Sequence, residues 1–239
     1  MEVLFELEPV SSKAKLADKV KVLTELVDWI DVPDSPMGIF RFSSPIISCI
    51  IKNLFETARV IAHLRVIDVN RLALEAILRG LEFCGVERIV FVRGDVVEGF
   101  SVIRDLEPED AMRIARSTTR VQPGLTISLR KSLKEIEERL RVEASFYLVL
   151  NLNKGNVEKM EAISKIARRL NVKLYPYIVL LTEANRGKIL EIMERWKLHD
   201  LNEALELLEV SNNIVDGILI SSPMDFKGGL ELVRRLRKR

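Results

Sequence analysis

The stretch VLFELEP, residues 3–9, places apolar and acidic side chains on opposite faces of a β-strand. Successive side chains on a strand point to opposite sides, so one face is apolar and the other carries Leu4, Glu6 and Glu8 in that order. In a (β/α)8 barrel the outer face of each strand packs against helices and must be apolar. The pattern therefore predicts a barrel strand whose carboxylates face inward and approach the C-terminal mouth.

Along the whole chain, short apolar runs alternate with longer amphipathic stretches. In SLKEIEERLRVE, for example, Leu133, Ile136 and Leu140 recur at helical spacing with charged residues between them. Strands are predicted at 3–8, 29–32, 59–65, 88–93, 125–130, 145–151, 173–180 and 215–221. Helices are predicted at about 12–27, 44–56, 69–84, 108–118, 131–142, 155–170, 184–209 and 225–238.

Eight strand–helix units without a linker or low-complexity block predict one α/β domain over residues 1–239, a single (β/α)8 TIM barrel. Such barrels typically need ~250 residues, so a chain of 239 residues must have short loops. The alternative is a doubly wound open sheet. The barrel is favoured because no Gly-x-Gly-x-x-Gly follows the first strand and eight units can close a barrel.

Several of these apolar strands become polar where they end, which is where barrel enzymes place their chemistry. Solvated loop residues are the alternative for any one position, but the repetition favours a functional face. Gly94 would let the backbone bend or approach a ligand closely. The loop at 33–38, with two prolines and Gly38, is interpreted either as a lid or as a connector. The polar residues at these strand ends are Asp31, Asp34, His63, Arg65, Arg93, Asp95, Thr126, Ser128, Arg130, Asn151 and Asn153.

The composition narrows the classes of function. The net charge is only +2, which argues against a nucleic-acid-binding protein with a strongly basic face. No apolar run approaches the ~20 residues of a membrane span, so no membrane partner is expected. The strand pattern begins at once without a signal peptide, which predicts a cytoplasmic protein. Abundant Lys, Arg and Glu beside a single glutamine, Gln122, suggest a thermophile.

Residues typical of metal sites and of nucleophilic catalysis are few. Cys49 and Cys84 form neither a metal pattern nor a disulfide framework, so they are interpreted as small core residues in a reducing cytoplasm. His63 and His199 are the only histidines, and no cluster has metal-ligand spacing, so no metal site is predicted. His199 lies in the polar stretch KLHDLN and is expected on the surface.

Three motifs carry a resemblance to a known family. FELEP at 5–9, AHLRV at 62–66 and RIVFVRGD at 88–95 resemble, in order and spacing, the methylenetetrahydrofolate reductase family. DWIDVPDSPMG at 28–38 looks like the second-strand segment of shorter relatives joined to homocysteine methyltransferases. The resemblance covers about residues 1–95 and identifies the chain as a short, divergent member.

The resemblance implies a (β/α)8 barrel that holds FAD and reduces 5,10-methylenetetrahydrofolate, or a related methylene-pterin, to the 5-methyl form in one-carbon metabolism. NAD(P)H or another electron donor would first reduce the flavin. A homo-oligomer or a partner reductase subunit is a further expectation. The family is one of oxidoreductases, so the chain is expected to be an enzyme.

The family's functional positions fall on residues of this chain. Glu6 matches the catalytic acid that opens the imidazolidine ring, and Asp95 matches the aspartate near the flavin and the pterin. Glu8 and Asn151 are assigned to substrate binding. The positions expected to bind the flavin cofactor are His63, Arg65, Arg93, Gly94 and Asp95.

The sequence also departs from the family pattern. Arg65 stands where the family usually has threonine, and the fifth strand, ISLRKS, lacks the Pro-Glu-x-His segment. In the sixth strand, FYLVLNL, the family's glutamine falls near Leu150 or Asn151. Two alternatives therefore remain open: a flavin-free, pterin-dependent methyltransferase or reductase, and a non-catalytic barrel subunit of a one-carbon enzyme complex.

Overall fold

A computed structural model describes residues 1–8, 10–192 and 196–238, so Pro9 of the FELEP motif lies outside the described residues. Parallel β-strands and α-helices alternate along the chain, and the fold is the (β/α)8 TIM barrel that the sequence predicts. All eight predicted strands are present with shifts of a few residues at their ends.

The parallel strands supply the buried layer of the fold. Their central residues are buried on both faces, as expected for strands covered by helices. The barrel strands are β1 (Glu2–Glu6), β2 (Trp29–Val32), β3 (Val60–Arg65), β4 (Arg88–Val92), β5 (Gln122–Ser128), β6 (Phe146–Leu150), β7 (Lys173–Leu180) and β9 (Gly217–Ser221). A short additional strand of two residues, β8 (Leu198–His199), pairs with β7.

The helices follow the strands and bury one apolar stripe each. In α3, for example, Leu74, Leu78 and Leu81 are buried at helical spacing, and the side chain of Asn70 caps the first turn. The helices are α1 (Lys13–Leu26), α2 (Ser44–Leu54), α3 (Arg71–Phe83), α4 (Pro108–Thr118), α5 (Leu133–Leu140), α6 (Val157–Leu170), α7 (Arg186–Ile192), α8 (Leu201–Ser211) and α9 (Phe226–Arg237).

The chain divides into two compact units. The first comprises Met1–Glu8, Leu26–Asp28 and Ile127–Arg239. In this first unit β9 pairs in parallel with both β1 and β7, and β7 also pairs with β6 and β8. Phe5 packs edge to face against Phe226 at 5.6 Å between ring centroids, which anchors α9 on β1.

The second unit comprises Pro9–Glu25 and Trp29–Thr126. Its ladder runs β2, β3, β4 and β5, all parallel. The register places His63 beside Val90 and Arg65 beside Val92, so two polar residues lie within a fully buried strand. Such residues need hydrogen-bond partners inside the fold.

Two sequence predictions about the second half are wrong. The predicted helix at 184–209 is instead α7, then β8, then α8, with residues 193–195 outside the described residues. His199 is not a surface residue, because it lies on β8 and is only 3% exposed. Burial lowers the pKa of its imidazole below the ordinary value.

The interpretation of the two cysteines as core thiols is also wrong. Cys49 in α2 and Cys84, directly after α3, form a disulfide with a Cα–Cα distance of 5.3 Å. Disulfides occur in oxidising compartments and in intracellular proteins of hyperthermophiles. Within the described part of the chain, no helix combines the length and apolar character that a membrane crossing requires.

We expect removal of this disulfide to lower the free energy of unfolding by about 3–4 kcal/mol, because the unfolded chain regains the freedom of a long loop. The variant is the double substitution Cys49→Ser with Cys84→Ser, and the measurement is urea unfolding. Reductant should shift the wild-type midpoint to that of the variant and leave the variant itself unmoved. A wild-type midpoint that does not respond to reductant would contradict the expectation.

Candidate functional site

Three loops of the second unit enclose a cavity of about 310 Å³. They follow β2, β3 and β4 at the C-terminal ends of these strands, where barrel enzymes carry their chemistry. The volume lies at the lower end of the range for small-molecule pockets, roughly 300–1,000 Å³, and suits one fused ring system. The cavity is lined by Ser35, Gly38, Phe40, Arg65, Ile67, Asp68, Asp95, Val96, Val97, Phe100, Ser101 and Val102.

Arg65 holds the three loops of this cavity together. Its Nε donates to Asp68 Oδ2 at 2.6 Å. One terminal nitrogen, Nη2, donates to the Asp95 carbonyl at 2.8 Å, and the other, Nη1, donates to the Ser35 carbonyl at 3.3 Å. The side chain is buried, so these bonds satisfy a charge that would otherwise be costly inside the fold. Arg65, predicted as a flavin contact, thus forms the wall of the cavity.

Asp34 fixes the backbone next to the Arg65 side chain. Its two carboxylate oxygens accept hydrogen bonds from the backbone N–H groups of Ser44 at 3.3 Å and Arg65 at 3.2 Å. Burial raises the pKa of the Asp34 carboxyl above its ordinary value, although these two hydrogen bonds act in the opposite direction. Asp34 therefore links the start of α2 to the end of β3.

His63 lies deeper in β3 and is buried. Its Nε2 is 2.8 Å from Oδ1 of Asp31, a fully buried carboxylate on β2. The other oxygen of Asp31 has no hydrogen-bond partner among the described residues. Ser44 Oγ accepts from the His63 backbone N–H at 2.9 Å and donates to the Val32 carbonyl at 2.6 Å. His63, predicted to contact the flavin, is thus built into a buried polar network beside the strand ends.

The loop after β4 contains Arg93, Gly94 and Asp95, which were predicted to bind the flavin. Gly94 has φ +92°, and a Cβ there would lie 2.8 Å from Ile67 Cγ2 and 3.1 Å from Arg65 Nε. A glycine therefore lets the loop close over Arg65. The exposed Asp95 lines the cavity. Arg93 points outward with its side chain 71% exposed, and its Nη2 lies 3.9 Å from a carboxylate oxygen of Glu107.

Aromatic side chains border the polar cavity. Phe40 is 86% exposed and Phe100 is 70% exposed, although both line the cavity. Exposed phenyl rings beside the carboxylates of Asp68 and Asp95 suit a flat heterocycle that stacks on a ring and donates N–H groups at its edge. Sequence analysis missed Phe40, Phe100 and Asp68, since loop residues follow no helical or strand period.

Glu6 occupies a different polar cluster, in the first unit. It is the last residue of β1, and its Oε1 accepts a hydrogen bond from Ser221 Oγ at 2.8 Å. Its Oε2 accepts a hydrogen bond from the hydroxyl of Tyr177 on β7. The Tyr177 ring packs on Trp196 with 5.2 Å between centroids. Tyr177 and Ser221 were missed from sequence, although both lie in otherwise apolar strand segments, YPYIVL and GILIS.

The two predicted substrate residues also lie in the first unit and help to order its loops. Glu8 accepts a hydrogen bond from the backbone N–H of Met224. Asn151 has φ +66°, and its Oδ1 accepts from the Lys197 N–H at 3.3 Å while its Nδ2 donates to Ser128 Oγ at 3.1 Å. The amide of Asn151 thus connects the ends of β5 and β6 to the segment before β8.

The structure therefore brings Arg65 and Asp95 to one cavity, with Gly94 packed against Arg65, His63 in the same strand as Arg65 and Arg93 turned to solvent. Glu6 and Glu8 lie at the end of β1. Among the described residues, no group of three or more His, Cys, Asp or Glu side chains is arranged to hold a metal ion.

Comparison with known proteins supports the assignment of the fold. No family model matches the chain, and no curated protein matches it. Solved structures of two variants of the tryptophan synthase α-subunit from the hyperthermophile Pyrococcus furiosus are similar to it, each with a TM-score of 0.62. They share 12% and 11% identity, and each match covers 99% of this chain and 95% of that chain. At these identities the likeness concerns the (β/α)8 fold.

We expect Gly94→Ala to destabilise the protein more than Gly99→Ala does. Both glycines have positive φ, +92° and +84°, so each alanine carries a backbone cost of about 1–2 kcal/mol. Only at Gly94 does the new Cβ also meet other atoms, since nothing lies within 4 Å at Gly99. The measurement is the free energy of unfolding, and equal losses in the two variants would contradict this account of Gly94.

Proposed function

We propose that this protein is a flavin-dependent reductase that converts 5,10-methylenetetrahydrofolate, or a related methylene-pterin, to the 5-methyl form. One observation carries the proposal. Arg65 and Asp95, which the family resemblance assigns to the cofactor, line one cavity of ring size, and Gly94 packs against Arg65. The pairing of Arg65 with Val92 in the sheet brings the two motifs side by side, and their side chains line this cavity together with the exposed rings of Phe40 and Phe100.

The residues of the cavity fit the ring system of a flavin. The Asp95 and Asp68 carboxylates can accept the N–H group at the pyrimidine edge, and the exposed rings of Phe40 and Phe100 can stack on its faces. The volume of about 310 Å³ accommodates the ring, while the nucleotide part of FAD would extend beyond the cavity. When bound, the flavin would supply a hydride to the methylene carbon of the substrate.

The chain's own residues would handle the proton and the charge. In the proposed reaction Glu6 gives a proton to the leaving nitrogen of the imidazolidine ring, and the C–N bond breaks to leave an iminium cation on the substrate. A carboxylate such as Asp95 favours a nearby positive charge. NAD(P)H or another reduced compound would serve as electron donor. A cytoplasmic location and association with a further subunit are parts of the same proposal.

A second candidate function is a flavin-free protein that binds a pterin. Two observations favour it: the cavity is smaller than a whole dinucleotide requires, and ISLRKS lacks the family segment on the adenine side. A pterin has two fused rings and an edge rich in N–H donors, so it satisfies the same carboxylates. Binding of FAD separates the two candidates.

We expect the purified protein to carry a yellow flavin or to bind added FAD, and we expect Asp95→Ala to weaken that binding about tenfold or more. The physical reason is that a hydrogen bond to a charged group contributes about 1.5–3 kcal/mol. Quenching of flavin fluorescence measures the dissociation constant. The matched control is Glu98→Ala, which removes an exposed carboxylate from the same loop and should leave binding unchanged.

The absence of any binding at tens of micromolar FAD would favour the flavin-free candidate. In that case a pterin should still bind to the wild type and bind more weakly to Asp95→Ala. If Asp95→Ala and Glu98→Ala weaken binding equally, only the net charge of the loop matters. That result would contradict the assignment of Asp95 as a ligand contact.

We expect Glu6→Gln to slow reduction of methylene-pterin by roughly 10²–10⁴, the usual weight of general acid catalysis. Glutamine keeps the shape of the side chain, and hydroxyl groups can donate or accept, so the hydrogen bonds of Tyr177 and Ser221 can survive. Single-turnover reoxidation of the reduced flavin by methylene-pterin is the measurement. Flavin reduction by the donor should remain at the wild-type rate.

The matched control is Glu8→Gln, since Glu8 lies two residues further along and bonds the Met224 backbone. Replacement of the Glu8 carboxylate should slow the reduction of methylene-pterin far less than Glu6→Gln does. A Glu6→Gln protein that reoxidises at the wild-type rate, or a larger loss with Glu8→Gln, would overturn the role of Glu6.

A further inference from the structure

Strand β7 carries two tyrosines whose hydroxyls reach glutamates on β1. Tyr175 donates to Glu2, and Tyr177 donates to Glu6. The two pairs differ in their surroundings. Glu2 also pairs with Lys173, whose Nζ lies 3.2 Å from Oε2, whereas Glu6 receives a second hydroxyl from Ser221. The additional partner of Glu2 is therefore an ammonium group, and that of Glu6 is a second hydroxyl group.

The strand register explains why these hydroxyls meet Glu6. On one side of β9, Phe5 is the register partner of Ile220, so Ser221 lies next to Glu6. On its other side, β7 places Tyr177 beside Leu219, and its ring reaches along the strand to the Glu6 carboxylate. Both carboxylate oxygens thus have a hydroxyl partner fixed by the sheet, and packing on Trp196 restricts the tyrosine ring.

We infer that Tyr177 and Ser221 are positioning residues, which fix the Glu6 carboxylate in one orientation and set the pH range in which it holds a proton. The catalytic meaning of this inference rests on the proposed function, in which Glu6 donates a proton to the substrate. The effect on Glu6 itself does not depend on any substrate.

The chemistry of the hydroxyl group supports this role. Hydrogen bonds donated to a carboxylate favour its ionised form. A hydroxyl can also turn and accept a hydrogen bond, so Tyr177 and Ser221 serve the protonated acid as well. A carboxylate offers about four acceptor positions, of which the two hydroxyls occupy one on each oxygen. Glu6 is thereby held in place in both protonation states.

Several titratable groups of the described residues lie on the strands next to Glu6. On β7 the candidates are Tyr177 itself and, two residues earlier, Tyr175, which faces Glu2. The residues of β9, GILIS, include no titratable side chain. Along β1 the next carboxylate is Glu8, which bonds the Met224 N–H. Tyr177 and Ser221, whose hydroxyl groups bond the Glu6 carboxylate directly, are therefore the residues to vary.

The test is a pH titration of the Glu6 carboxyl carbon by NMR in protein labelled with ¹³C at the glutamate carboxyls. The resonance of Glu6 is the one lost in Glu6→Gln. We expect Tyr177→Phe to raise the titration midpoint of Glu6 by about one pH unit, as loss of a hydrogen bond to a charged group implies. Ser221→Ala should raise it in the same direction.

The matched control is Tyr175→Phe, which removes the same hydroxyl from the other pair and should leave the Glu6 midpoint unmoved. Tyr177→Phe keeps the ring that packs on Trp196, and Ser221→Ala gives a second, smaller change if the first impairs folding. An unmoved midpoint in both Tyr177→Phe and Ser221→Ala would overturn the inference. An equal shift in Tyr175→Phe would overturn it as well.

A kinetic measurement separates this inference from the proposed function. With methylene-pterin, the pH profile of single-turnover reoxidation should move to higher pH in Tyr177→Phe, since the acid keeps its proton longer, while its maximum rate falls. A wild-type protein without pterin turnover sinks the proposed function but leaves the NMR result intact. An active wild type with an unmoved Glu6 midpoint in the variants sinks only the inference.

Discussion

A strand buried on both faces accepts a polar side chain only where a partner satisfies it, and this constraint shapes both polar clusters of the protein. In β3 all six residues are buried, yet two of them are His63 and Arg65. His63 pairs with Asp31, and Arg65 bonds two carbonyls and Asp68. Because these partners lie in three different loops, satisfying Arg65 also builds the cavity wall.

The first unit meets the same constraint with hydroxyl groups. Glu6 ends β1 in a half-buried position, and its carboxylate is bonded by Tyr177 and Ser221 from β7 and β9. A hydroxyl satisfies a carboxylate without neutralising it, in contrast to an arginine. The two clusters therefore differ in character: Arg65 is bonded by residues of three loops and orders them, whereas Glu6 is bonded by two neutral hydroxyl groups.

The fold itself says little about the reaction, since one barrel architecture carries many unrelated chemistries. The tryptophan synthase α-subunits share this architecture at 12% and 11% identity. Particular side chains support the proposed pterin reductase instead. Asp95 and the exposed Phe40 and Phe100 offer a carboxylate and aromatic faces at one cavity, which is what a flat nitrogen heterocycle needs.

Residues brought together from distant parts of the chain are those that the sequence could not predict. The disulfide joins Cys49 to Cys84 across 35 residues, and Tyr177 meets Glu6 across 171. Neither pairing leaves a periodic signal, because periodicity reports only which face of its own helix or strand a residue occupies. The region 184–209 keeps helical spacing throughout, so only the pairing of β8 with β7 reveals the strand and buries His199.

The sequence by itself determined the alternation of strands and helices, the (β/α)8 fold and the face on which Glu6 lies, because local hydrophobic periodicity encodes each of these. It also located Gly94 and Asp95 at a strand end. Only the tertiary structure decided that Arg65 binds its own loops, that Arg93 faces solvent and that Tyr177 and Ser221 hold Glu6. These outcomes depend on which side chains reach across neighbouring strands and loops, and that distance is set by the register of the sheet rather than by any stretch of sequence.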